Sequence, residues 1–308
     1  MPPMSESPES IKSESAPPVV TVAILTFNHA PFIEQAVHSV LAQNTSFPIE
    51  ILLADDCSTD ETPQILERLE TTYPNRLTQL QRKRNLGLSA NLQECRERAM
   101  GRYLAILEGD DYWTDPLKLQ KQHDALEDHP DWSMCYTAAR VFTEDASHKD
   151  FVKPSPFPEK ALGVGDFLEE NQIQTMSVAM YRQGVVTRTP DWHAQLRIGD
   201  WALHILHANK GPIGFVPEVT TAYRVHPGGL WSGLSTFRRW EEMIRLFSFL
   251  EQHFEGEYAA SMKAAQDKLA KDFDDRVAYL ERIEYRYNFL RLDRVAAVFR
   301  FLKSLFTR

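Results

Sequence analysis

Along the first 140 positions, apolar residues fall in short runs, each closed by polar or acidic residues and followed by a stretch of 3.6-residue periodicity. Residues 19–26 are a β-rich run that ends at Phe27-Asn28-His29. A helix opened by Pro31 places Ile33, Ala36, Val37, Val40 and Leu41 on one face. Residues 49–54 read as a short, wholly apolar strand ending at Asp55-Asp56, and Thr62-Pro63 suits the N-cap and first turn of a helix through Leu69. Residues 77–80 are a candidate third strand, and Ser89 caps a helix that Gly101 ends. The next apolar strand runs straight into Glu108-Gly109-Asp110-Asp111, after which Asp115-Pro116 starts another helix. Alternating strands and helices with short connections predict an α/β fold, a mainly parallel sheet with helices on both faces.

Beyond residue 140 the pattern loosens. Residues 143–160 carry charges and three prolines, Pro154, Pro156 and Pro158, which predict a mobile loop. A short helix is expected at 166–170, a strand at 176–181, a helix at 200–208, a strand at 219–225 and continuous helix from about Phe237. Residues 1–18, polar and rich in Ser and Pro, offer almost nothing to bury and read as a disordered tail.

Composition narrows the class. In 308 residues, 43% hydrophobic and 25% charged are the proportions of a soluble globular protein, and the net charge of −9 argues against a nucleic-acid binder. Cys57, Cys95 and Cys135 are widely spaced without a CxxC pair, as expected for reduced thiols of a cytoplasmic protein. The opening residues do not read as a signal peptide, and the apolar run 19–25 is too short to cross a bilayer. The last stretch, 285–308, opposes the acidic balance with six basic residues against one acid. There Leu292, Val295, Val298, Phe299, Leu302, Leu305 and Phe306 gather on one side of a helix. Such a helix suits the surface of an anionic membrane, or it packs on the catalytic domain or on a sister chain.

Two strands of the first half end on acids, Asp55-Asp56 and Asp110-Asp111, and parallel strands bring their C-terminal ends to one crevice. Adjacent carboxylates repel; unless the pair is only a solvated turn, a hard divalent cation neutralises it and can hold a diphosphate. No GxGxxG turn follows the first strand and no GxxxxGKS occurs, so a dinucleotide fold or a P-loop is disfavoured. His204 and His207 have a helical i, i+3 spacing, but their flanking Leu203, Ile205 and Leu206 point to packing.

Val22-Ala23-Ile24-Leu25-Thr26-Phe27-Asn28, Asp55-Asp56-Cys57-Ser58-Thr59-Asp60-Glu61-Thr62, Asn85-Leu86-Gly87 and Glu108-Gly109-Asp110-Asp111 together resemble glycosyltransferase family 2. The resemblance returns at Ile198-Gly199-Asp200-Trp201 and at Tyr223-Arg224-Val225-His226 with Gly228, Gly229 and Trp231. The usual second motif is Asp-Gly-Ser-x-Asp-x-Thr, with Cys57 here in place of the glycine. The resemblance implies a GT-A-type fold over residues 19–240, a nucleotide-sugar half at 19–140 and an acceptor half at 141–240, followed by a helical region at 241–308. It implies that Thr26, Phe27 and Asn28 lie beside the base, that Asp56 reads base or ribose, and that Asn85 and Gly87 approach the nucleotide. Asp110 would face the ribose, Asp111 would ligate Mn2+ or Mg2+, and His226 would approach the metal or diphosphate.

Asp200 matches the general base of inverting members, although Gly199-Asp200 is also good capping chemistry. The 228–233 segment has glycines to move and a tryptophan, Trp231, to cover a bound donor, the composition of a lid. The expected reaction is metal-dependent, inverting transfer from a nucleotide-sugar, a UDP-sugar by preference, to a glycan or lipid-linked acceptor in surface polysaccharide synthesis. Two other readings compete: a sugar-1-phosphate nucleotidyltransferase, whose glycine-rich basic loop is missing, and a catalytically silent nucleotide-sugar or glycan-binding protein on the same fold. Peripheral membrane contact or self-association would run through the C-terminal helices.

Overall fold

A computed structural model describes residues 16–80, 82–145 and 149–287, with side chains to residue 279. Most of the disordered-tail expectation and residues 288–308 of the basic amphipathic helix lie outside the described residues. The chain forms two compact units, one up to Leu234 and one from Ser235.

In the first unit, strands β1 (Val20–Thr26), β2 (Ile49–Asp55), β3 (Thr78–Gln79) and β4 (Tyr103–Glu108) alternate with helices α1 (Ile33–Leu41), α2 (Thr62–Thr72) and α3 (Leu88–Arg98). They pair in the parallel order β3-β2-β1-β4. Strands β1 and β4 are almost wholly apolar because helices cover both faces, and Ile33, Ala36, Val37 and Val40 of α1 are fully buried against them. Gly101 admits no side chain, since a Cβ would sit 2.5 Å from the backbone nitrogen of Thr21.

The remaining strands, β5 (Tyr112–Trp113), β6 (Met134–Phe142), β7 (Phe151–Lys153), β8 (Ala179–Arg182) and β9 (Ile213–Arg224), extend the same sheet in the order β4-β8-β6-β9-β5. Strand β8 runs antiparallel to both β4 and β6, and β7 pairs on β6. Between them stand α4 (Lys118–Asp128), α5 (Val164–Glu169) and α6 (Gly199–Ala208). The second unit is the helix pair α7 (Thr236–Phe254) and α8 (Ala259–Tyr287).

Three local readings change. The expected mobile loop contains β7, whose Lys153 lies opposite Ala139; a three-residue strand is too short to show alternation. The strand expected from Met176 starts only at Ala179, because the Thr175 hydroxyl accepts the Ser177 N–H and winds Met176–Val178 into a single 3-10 turn. Strand β9 begins earlier than expected, at Ile213. Gly214 and Pro217 hide it in sequence: a Cβ on Gly214 would strike the Trp132 ring, and near Pro217 the β6–β9 register shifts.

Candidate active site

Strand β1 ties the two acidic loops together. Its Thr26 carbonyl accepts the Asp56 N–H at 2.9 Å, and its Leu25 carbonyl accepts the Gly109 N–H at 2.8 Å. Phe27, at the end of this strand, leaves 42% of its surface exposed, unusual for a large apolar residue and open to stacking. Asn28 turns with φ +57°, donates its N–H to Ser58 Oγ at 2.7 Å and accepts the Thr59 N–H at 2.8 Å. Cys57 has φ +59°, the left-handed region, so the position usually held by glycine demands that conformation of cysteine as well.

Asp56 is buried and organises the neighbouring loop. Its Oδ1 accepts the Leu86 N–H at 2.7 Å, its Oδ2 the Gly87 N–H at 2.8 Å, and its carbonyl oxygen accepts Asn85 Nδ2 at 3.0 Å. Gly87, with φ +81° and ψ 157°, turns the chain into α3.

The adjacent carboxylates Asp110 and Asp111 point different ways. Asp111 is 1% exposed; its Oδ2 accepts the hydroxyls of Thr175 at 2.8 Å and Ser177 at 2.7 Å, and its Oδ1 the Arg224 N–H at 2.9 Å. Burial, then the charge of Asp110, pushes it up to about 7. Asp110 instead meets His226 Nε2 at 3.1 Å and lies 3.7 Å from His29 Nε2. Burial alone would raise Asp110, but the His226 hydrogen bond and the nearby His29 hold it below the ordinary carboxylate value. The Asp111 oxygens are thus engaged by protein donors, while Asp110 faces the imidazoles of His226 and His29.

Glu108 accepts the Thr175 hydroxyl at 2.5 Å while that same hydroxyl contacts Asp111. One hydroxyl proton cannot serve two carboxylates. Burial, followed by the charges of Asp111 and Asp110, raises Glu108 well above its ordinary value.

Gly109 lets these groups approach. A Cβ there would lie 2.9 Å from Thr26 Oγ1 and 3.0 Å from His29 Nδ1. Both of those buried atoms lack a hydrogen-bond partner among the described residues, as expected where a polar ligand completes the site. Among the described residues no three His, Cys, Asp or Glu side chains are arranged to hold a metal ion. Asp110 Oδ2 and His226 Nε2, 3.1 Å apart and hydrogen-bonded to each other, are two donors that a divalent cation such as Mn2+ would have to separate and share with substrate phosphates.

Asp200 stands in the first turn of α6 and accepts the Trp201 N–H; burial pushes it up to about 6. His193 Nε2 donates to the Gly199 carbonyl at 2.7 Å, fixing the start of that helix. The Asp200 charge reaches Glu108 and Tyr223, both of which it raises. Tyr223 is raised first by burial and then by Glu108, Asp111, Asp110 and Asp200, so it lies within electrostatic reach of all four carboxylates. His204 and His207 are core residues as expected: Tyr181 pairs with His204 Nε2 at 2.9 Å, and burial drives His204 down to about 3.

The 226–233 segment is a chain of tight turns, with the His226 carbonyl accepting Gly229 N–H at 3.0 Å and Ser232 Oγ at 2.6 Å. Trp231 within it is half-buried and Leu230 is exposed. Four residues of the site had no assigned role from sequence: Thr175, Ser177, Tyr223 and Arg224. Arg224 also donates Nε to the Asp110 carbonyl at 2.8 Å and one Nη to Gln35 at 2.8 Å, pairs with Glu144, and lies 4.6 Å over the Phe32 ring. Its place in the matched Tyr223-Arg224-Val225-His226 motif was the available signal; Thr175 and Ser177 carried none.

The sequence profile of glycosyl transferase family 2 matches residues 21–188. Uncharacterized protein Rv1520 of Mycobacterium tuberculosis is 39% identical over 228 residues, 72% of this chain and 64% of that protein, so the chain spans less than two thirds of this relative's length. The UDP-Glc:alpha-D-GlcNAc-diphosphoundecaprenol beta-1,3-glucosyltransferase WfaP of Escherichia coli is 28% identical over 238 residues, 76% of this chain and 86% of its own. The structure of mannosyltransferase PcManGT from Pyrobaculum calidifontis in complex with GDP-Man and Mn2+ matches with a TM-score of 0.57 at 17% identity, over 94% of this chain and 87% of that one. This last likeness is one of fold.

Proposed function

The chain belongs to glycosyl transferase family 2 and has a GT-A-type fold, and on that premise we propose that it transfers a sugar, with inversion, from a nucleoside-diphosphate donor to a glycan or lipid-linked acceptor. The observation that supports this most is that the exposed Phe27 and Asp110 both follow the C-terminal ends of the neighbouring parallel strands β1 and β4, where open α/β sheets bind ligands, with the buried Asp200 in electrostatic reach of Glu108 at the end of β4.

Phe27 stacks on the base, and the 85–87 loop held by Asp56 borders the nucleotide. Asp200 takes the acceptor hydroxyl proton; near neutral pH a group at about 6 is mostly ionised and still basic enough to accept a proton in the transition state. Asp110 and His226 would hold a divalent cation, which would supply electrostatic stabilisation of the diphosphate leaving group. Asp111, tied to Thr175, Ser177 and Arg224, keeps Asp110 in place. Trp231 and the turns around it shield the donor from water.

WfaP, by its name, uses UDP-Glc and a diphosphoundecaprenol-linked acceptor, which supports a UDP-sugar and a lipid-linked glycan in surface polysaccharide synthesis for this chain too. No helix among the described residues is long and apolar enough to cross a membrane. Access to a lipid-linked acceptor would then come from peripheral contact at the cytoplasmic face through the C-terminal helices. The test is turnover of UDP-, GDP- and dTDP-sugars with Mn2+ by wild type, Asp110→Asn and Asp200→Asn. Metal-dependent turnover of one donor, lost in both variants, is expected; donor binding without hydrolysis or transfer for any acceptor would favour a silent binding protein.

A further inference from the structure

On the first unit's surface, outside the residues assigned above, lies a cavity of about 270 Å3 bounded by the segment after β7, by α5 and by the segment leading to Thr175. Its chemistry is mixed. Phe157 forms an aromatic wall, packed edge-on against the Phe215 ring at 5.0 Å with 39% of its surface exposed, and prolines stand on either side of it. Asn171, Gln172 and Gln174 supply amides, and Asp166, Glu169 and Glu170 outnumber the one lysine of the lining, Lys153. An aromatic face beside amide and carboxylate groups matches the two sides of a sugar ring, its C–H face and its hydroxyls. Lys153 lies 3.9 Å from Glu170 and Lys160 3.4 Å from Asp166, and the three carboxylates of the lining still outnumber its one lysine, which disfavours a diphosphate or a uronate.

One hydrogen bond and one chain adjacency connect the cavity's walls to the reacting groups. Trp201, next to Asp200, donates Nε1 to the Phe167 carbonyl of α5 at 2.8 Å. Gln174 leads directly into Thr175, whose hydroxyl contacts Glu108 and Asp111. The cavity therefore shares α5 and the segment before Thr175 with the elements that hold the candidate base and the acidic pair. We propose that it is an acceptor subsite that holds a neutral hexose ring of a glycan, one not itself being glycosylated. The assignment to an acceptor rests on the glycosyltransferase reading; the affinity for a neutral sugar does not.

The test is saturation-transfer NMR of cellobiose, laminaribiose and chitobiose with the full chain loaded with UDP and Mg2+. Wild type should saturate one face of one ring in at least one of the three disaccharides. Phe157→Ala and Gln172→Ala should weaken that binding at least tenfold, while melting temperature and UDP affinity match wild type. The proposal is overturned if none of the three binds wild type, if binding is equal in Phe157→Ala, or if an added glucuronate disaccharide binds more tightly. Disaccharide binding here without donor turnover would overturn the glycosyltransferase reading alone; turnover without a sugar in the cavity would overturn this subsite alone.

Discussion

The backbone N–H of Arg224 donates to Oδ1 of Asp111 at 2.9 Å, across 113 residues of chain. That bond makes Asp111 the fastening between β9 and the loop after β4, and it separates the duties of two adjacent carboxylates. Removing Asp111 leaves the Arg224 N–H and the Ser177 hydroxyl without their acceptor in a dry site, while the Thr175 hydroxyl keeps Glu108. Asp111→Ala should therefore cost about 3 kcal/mol of stability, read by urea denaturation, whereas Asp110→Asn should unfold at nearly the wild-type midpoint.

Asp200→Asn should reduce transfer by about 10²- to 10⁴-fold, the usual contribution of a general base. In wild type, kcat should rise with pH through about 6 and level off above, because only the ionised carboxylate accepts the proton. Stability moves the other way. The folded chain holds this proton more tightly than the unfolded one, so the associated stability is complete below the ordinary Asp range and is lost as pH rises through about 6. At mildly alkaline pH the Asp200→Asn protein should be the more stable by about 3 kcal/mol, a difference that closes in acid; melting temperatures against pH check this.

Phe27→Ala should raise the donor KM about tenfold, since stacking on a base contributes roughly 1–3 kcal/mol. Stability should change little, because much of the ring is already in solvent. Calorimetry of UDP binding beside a thermal melt separates the two effects.

Backbone conformation predicts opposite signs at two positions. Cys57→Gly relieves a left-handed residue at φ +59° and should stabilise by about 1 kcal/mol without loss of turnover. Gly87→Ala meets no atom within 4 Å, yet φ +81° with ψ 157° excludes a side chain and should cost about 2 kcal/mol. It should also weaken nucleotide binding by releasing the loop from Asp56. Denaturation midpoints of the two variants decide the signs.

What the sequence made legible follows from physical range. The parallel strands and their acidic ends were readable because an apolar run and the carboxylates closing it are neighbours in the chain. The division between Asp110 and Asp111 was not, because it depends on Thr175, Ser177 and Arg224, which lie 64 to 113 residues from Asp111. Arg224 was hidden further because it holds Asp111 through its backbone, which no side-chain pattern encodes. Strand β9 was only half visible, since Gly214 and Pro217 argue against a strand locally while the Trp132 ring and the register shift beside β6 require or tolerate them.

The most direct measurement is calorimetric titration of UDP into wild type and Asp110→Asn, each with and without Mn2+. Binding by wild type that tightens at least tenfold with Mn2+, and by Asp110→Asn that no longer responds to the metal, is the predicted result. Equal UDP affinity with and without Mn2+ in wild type, or an unchanged metal response in Asp110→Asn, would contradict it.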